Sequence, residues 1–230
     1  MKIKISIVGL IIFLHANLLF GGDIAHFVNL GFSNNDGYFM FGQYGVNEAS
    51  TFPYADLFVV DVPTNKFVAN GVKHSIFEIA AEPGYPGEGA LFTLLGNNQS
   101  LKKKYDVNHL KTGRLLYLLV DGEKPKKELD FRDFVTGNRF QVKLIQNVYG
   151  NGADIKSSFY IDLTVLPKGR SAKTFWVGLP DYKRKGVKGY RIRQILLSPI
   201  GKAMVFLIEK EETDKTGANV RYMIESLRLD

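Results

Sequence analysis

The chain has 230 residues, a formal charge of +7 and no cysteine. That excludes a disulfide framework, a thiolate nucleophile and any Cys-ligated metal site, so stability has to come from packing and strand pairing. Length and composition fit one domain with a substantial core.

Residues 1–22 read as a signal peptide. Lys2 and Lys4 precede an apolar stretch over 5–20 that His15 and Asn17 interrupt, and Gly21 and Gly22 supply small residues for cleavage. A transmembrane anchor would need roughly 20 uninterrupted apolar residues. The expectation is therefore a single mainly-β domain over 23–230, periplasmic or secreted, with no membrane span after cleavage. Lys2 and Lys4 carry two of the seven charges, leaving +5. That excess suits an envelope protein or an anionic cell-wall or lipid surface as partner. Nucleic acid is not an expected partner in an exported compartment.

Residues 30–62 set the pattern. A strand ends at Ser33, Asn34-Asn-Asp-Gly37 makes a tight turn with Gly37 expected at positive φ, and strands follow over 38–42 and 56–62. Pro63-Thr-Asn-Lys turns into a further strand within 67–81. The Pro- and Gly-dense residues 82–89 read as a loop. Residues 90–95 and 100–111 are the helical part, with Ser100 as N-cap, Leu101, Tyr105 and Leu110 sharing a face, and Gly113 at the C-terminus.

From Arg114 onward the pattern is β. Strands are expected over 115–120 and 139–148. Phe159, Ile161, Leu163 and Val165 alternate with Tyr160, Asp162 and Thr164 as a half-buried strand does. Residues 173–178, which hold the sole tryptophan, Trp176, and the stretches 190–197, 203–209 and 220–229 complete the chain. The expected fold class is mainly β, a propeller-like or irregular multi-sheet domain with one short helix.

Residues 195–206 also line up with 30–41, Ser198 against Ser33, with one residue of difference in the turn, as in stacked repeats. Ser33-Asn-Asn-Asp-Gly-Tyr38 is similar to the Ser-Pro-Asp-Gly-Lys turn of bacterial TolB-type β-propeller repeats. In the second hairpin Ile200 stands where that repeat has Asp. Phe32-Ser-Asn-Asn-Asp-Gly-Tyr-Phe-Met-Phe-Gly-Gln-Tyr-Gly45, Tyr54-Ala-Asp-Leu-Phe-Val-Val-Asp61, Phe131-Arg-Asp-Phe134 and Arg221-Tyr-Met-Ile-Glu225 together resemble an uncharacterised family of predicted secreted bacterial proteins. The resemblance implies export and transfers no activity, cofactor or catalytic residue.

No coherent catalytic set emerges, and neither a cofactor nor a metal site is expected. His26, His74 and His109 lack metal-pair spacing, and no His-Glu-x-x-His occurs. Gly31-Phe-Ser33-Asn-Asn35 lacks the second glycine of a nucleophile elbow. Ser100-Leu-Lys-Lys103 and the Lys-Thr-Gly runs at Lys111 and Lys215 match penicillin-recognising motifs only by chance, since their order and spacing are wrong. Phe131-Arg132-Asp133-Phe134 reads as a strand-end ion pair. The sharpest signal is 182–193, with six cations and no acid. A solvated basic loop is the bland reading. The functional one is a surface for an anionic partner, made by Lys183, Arg184, Lys185, Lys188, Arg191 and Arg193. The leading function is thus a non-enzymatic binding or scaffold protein. The alternative is a hydrolase or sugar-processing enzyme whose acids, such as Asp56, Asp61, Asp130 and Asp133, meet only in the fold.

Overall fold

The computed structural model describes residues 23–82, 84–214 and 217–229. The expected signal peptide, and Lys215 and Thr216 of the second Lys-Thr-Gly, lie outside the described residues. Strands β1 (His26–Ser33), β2 (Tyr38–Val46), β3 (Pro53–Asp61) and β4 (Lys66–Ile76) lead to helices α1 (Glu88–Asn97) and α2 (Gln99–Lys104). Then follow β5 (Val107–Asn108), β6 (Arg114–Leu118), β7 (Glu128–Arg132), β8 (Arg139–Tyr149) and β9 (Lys156–Leu166). The last strands are β10 (Lys173–Lys185), β11 (Val187–Leu197), β12 (Ala203–Asp214) and β13 (Gly217–Arg228).

They form three antiparallel sheets: sheet I in the order β4-β3-β2-β1-β5, sheet II as β10-β9-β8-β7 and sheet III as β13-β12-β11-β6. Among the described residues no sheet closes into a barrel, so the fold is mainly β and multi-sheet. Side chains settle how the layers stack. Phe140, Val142, Ile161 and Leu163 of sheet II pack with Ile192, Met204, Phe206 and Ile208 of sheet III. Phe32, Phe39, Phe41 and Val60 of sheet I pack with Ala203, Val205, Leu207 and Ile224 of sheet III. Sheet III is therefore the middle layer. Its β12 opens on the continuous apolar run Ala203-Met-Val-Phe-Leu-Ile208 because successive side chains enter opposite cores. The far face of sheet I is closed by α1 and α2 through Ala90, Leu91, Leu94 and Leu101. Among the described residues no such cover lies on the far face of sheet II, and β9 alternates buried and half-exposed residues accordingly.

Two helices form where one short helix was expected. Asn98 separates them, its side-chain amide donating to Leu94 O (2.8 Å). Ser100 therefore lies inside α2 rather than at its N-cap. The helix ends at Tyr105, because Asp106 takes a left-handed φ of 50° and Val107 then pairs with Ser33. Leu110 is accordingly 92% exposed, and Gly113 packs against Phe32 and the Leu197 carbonyl instead of capping a helix.

The two similar hairpins share more turn chemistry than their alignment suggested. Ser33 Oγ accepts from Tyr38 N (2.8 Å) and Ser198 Oγ from Ala203 N (2.9 Å), so serine and donor are five residues apart in both and no offset remains. The left-handed position is Asp36 (φ 57°) in one and Gly201 (φ 75°) in the other, not Gly37. The turns also touch, since Asp36 Oδ2 accepts from Ile200 N (3.1 Å). The TolB-type likeness reaches no further than this turn.

Candidate functional site

The stretch 182–193 is not a loop. It is the end of β10, the one-residue turn at Gly186 and the start of β11. Acids absent from its own sequence reach it from elsewhere. Arg191 pairs with the buried Glu209 of β12, Lys188 with Glu211 (3.7 Å), Arg193 with Asp121 (2.6 Å) and Arg184 with Glu225 of β13 (3.9 Å). Lys183 lies over the Tyr149 ring (4.2 Å from its centroid), and Lys185 is exposed. Arg184 is the least available of the six. Its guanidinium lies against Tyr182, Phe159 and Tyr190, 4.9, 5.2 and 5.8 Å from the ring centroids. Burial pushes the Glu225 carboxyl up, opposed by its hydrogen bond from Asn65 and by the charge of Arg184.

Lys188 and Arg191 line a cleft of about 420 Å³ between β8 and β11. Beyond Leu119, whose N–H still donates to Arg193 O (2.9 Å), the chain no longer pairs with β11, which leaves that edge open. Gln146 of β8 covers part of it, accepting from Tyr190 N (2.9 Å) and donating to Tyr190 O (3.3 Å). The connection from β6 to β7 overhangs the same cleft and brings Lys126 and Lys127. Two contacts hold that connection: the Arg193–Asp121 pair, and Leu144 N donating to Lys127 O (2.8 Å). Four cations therefore meet Glu209 and Glu211 in one recess, and two of them, Lys126 and Lys127, make no ion pair among the described residues. Sequence reading missed this pair. The signal was the run Lys124-Pro-Lys-Lys127, which needed the fold to bring it to Lys188. Lys183, Arg184, Lys185 and Arg193 do not line the cleft.

The four acids considered for catalysis do not share a recess. Asp56 accepts from Gln43 Nε2 (2.9 Å) and lies 2.6 Å from His74 Nδ1, while Asp61 caps its own turn at Thr64. Asp130 pairs with Arg139 on the open face of sheet II. Asp133 is 3% exposed and its partner is not Arg132 but Arg114 of β6, so Phe131-Arg-Asp-Phe134 contributes a tie between sheets II and III. Among the described residues no cluster of three or more histidine, aspartate or glutamate side chains is placed to hold a metal ion. His109 Nδ1 is 2.6 Å from Leu30 O, and His26 stacks on Tyr44.

Fold and cleft together define a mainly-β, multi-sheet protein with a basic recess at a sheet edge. No helix among the described residues is long and apolar enough to cross a membrane. The chain belongs to the family described as predicted secreted protein (DUF2259), whose model matches residues 40–228. It is thus a member of a family of predicted secreted proteins of unknown function, which agrees with localisation outside the cytoplasm. No curated protein matches the chain.

Proposed function

We propose that the protein is a non-enzymatic periplasmic binding module that takes an anionic envelope component, a phosphate-bearing headgroup or polymer, in the cleft between β8 and β11. The observation that carries this reading is the arrival of Lys126 and Lys127 beside Lys188 from a separate connection. Lysines at the mouth of a recess act as point charges for phosphate, and their attraction is screened by salt. Arg191 and Arg193 support the site by holding Glu209 and the Asp121 turn rather than by facing a ligand. An enzymatic role has less support, because Asp56, Asp61, Asp130 and Asp133 each serve a separate local contact.

Co-sedimentation with phosphatidylglycerol vesicles and binding to inorganic polyphosphate test the reading and separate its two sources of phosphate. The combined change Lys126→Gln, Lys127→Gln and Lys188→Gln should weaken capture at least about tenfold and flatten its salt dependence. Equal capture by the variant, or no capture of either probe at low salt, overturns the proposal.

A further inference from the structure

The uncovered face of sheet II carries a different chemistry from the cleft. Cross-strand register sets Glu128, Lys143, Asp162 and Trp176 in one row across β7, β8, β9 and β10. Asp130, Gln141, Thr164 and Thr174 form the next. Four strands at roughly 4.8 Å spacing make each row about 14 Å long. Trp176 stands at the end of its row, 80% exposed, with the Tyr160 ring 6.4 Å away. Gly178 lies opposite Tyr160, so no side chain from β10 covers that ring. A shallow hollow of about 380 Å³ runs beside the aromatics, lined by Glu128, Asp130, Gln141, Lys143, Asp162 and Thr164. Asp162 lines this hollow, and its Oδ1 is buried with no hydrogen-bond partner among the described residues.

We propose that this face binds a neutral or N-acetylated polysaccharide chain. One side of a sugar ring is a sheet of C–H groups that stacks on an exposed indole, and its equatorial hydroxyls reach sideways to donors and acceptors. The row supplies both: carboxylates accept, Gln141 and Lys143 donate, and the Thr164 and Thr174 hydroxyls, 3.4 Å apart, do either. Charge argues for an uncharged polymer. Glu128, Asp130 and Asp162 are balanced on this face by Arg132, Arg139 and Lys143, two of the pairs already closed at 2.7 Å (Lys143–Glu128) and 2.6 Å (Arg139–Asp130). A lipid surface or polyanion gains nothing there. A second copy of the chain would have to desolvate the same charges.

Trp176 is the sole tryptophan, so its emission reports this face directly. The protein is titrated with chito-oligosaccharides and with cello-oligosaccharides, and pelleted with chitin and with cellulose. At least one sugar series should shift the emission to the blue and shield it from iodide. Trp176→Ala and Asp162→Asn should each cut pelleting by about tenfold while leaving the circular dichroism spectrum and melting temperature unchanged. The triple lysine variant of the cleft should pellet like the wild type, which keeps this test separate from the one above. The proposal fails if neither series moves the emission, if Trp176→Ala pellets undiminished, or if the blue shift follows protein concentration without sugar.

Discussion

Replacing Asp133 with asparagine probes the strongest tie between sheets II and III. Its carboxylate takes a bidentate pair from Arg114 and hydrogen bonds from Val135 N (3.0 Å), Thr136 N (3.3 Å) and Thr136 Oγ1 (2.5 Å). Breaking one partner of a buried ion pair costs about 3–5 kcal/mol. The Arg114 side chain keeps 36% of its exposure, so solvent relieves part of the loss and the lower end, about 3 kcal/mol, applies. For a chain of this size, 1 kcal/mol moves the melting temperature by about 2–4 °C, which predicts a fall of roughly 6–12 °C at pH 7. Acid gives a second reading. Hydrogen bonds from Arg114, then from Thr136 and Val135, hold the Asp133 carboxyl well below the usual carboxylate range against the opposing effect of burial. A lowered folded value means that the contribution is present above the unfolded value of about 3.9 and is lost as pH falls below it, by about 1.4 kcal/mol per pH unit. Urea unfolding at pH 7 and again below pH 4 measures both. Asp133→Asn should be less stable at neutral pH and should lose less on acidification. Asp130→Asn, which breaks an ion pair in open solvent, is the control and should leave the midpoint in place. A variant within about 1 kcal/mol of wild type at pH 7, or one with the wild-type acid slope, refutes the account.

The joined turns and the buried glutamate make two further predictions. Asp36→Gly keeps the left-handed backbone and loses the bond to Ile200 N, costing about 1 kcal/mol, whereas Asp36→Ala adds about 1–2 kcal/mol for the positive φ; equal melting temperatures for the two would remove the backbone argument. Burial raises the Glu225 carboxyl, so its sign is opposite to that of Asp133: the ionised form destabilises the fold above the folded value, and that penalty is relieved as pH falls through it. A carbon-detected NMR titration should place its midpoint above the ordinary glutamate value of about 4.3, and a midpoint at or below it contradicts the burial argument.

The strands were legible because their two burial regimes leave different marks. Sheet II faces solvent on one side, so β9 alternates, whereas β12 lies between two cores and is apolar without interruption. The helix boundary was not legible, because Asp106 ends α2 through a backbone angle and through Val107 pairing with a strand far back in the chain. The Ser33 and Ser198 turns could be matched by eye. Their identical five-residue spacing needed the hydrogen bonds, since glycine and aspartate hold the same left-handed position.

Charge shows the same limit from the other side. Six cations without an acid between them read as a free basic surface, yet every acid that answers them lies on another strand or connection. Antiparallel pairing puts Glu209 opposite Arg191 across 17 intervening residues, and the Asp121 turn meets Arg193 across a longer interval still. Lys124, Lys126 and Lys127 of the β6–β7 connection carried no comparable weight in the sequence, but none of them forms an ion pair among the described residues. Local charge density therefore marks where strands need partners, and in the cleft the two cations without an ion pair among the described residues are those on a connection. That is why Lys126 and Lys127, rather than Arg191 or Arg193, are the side chains whose removal should be felt by an anion.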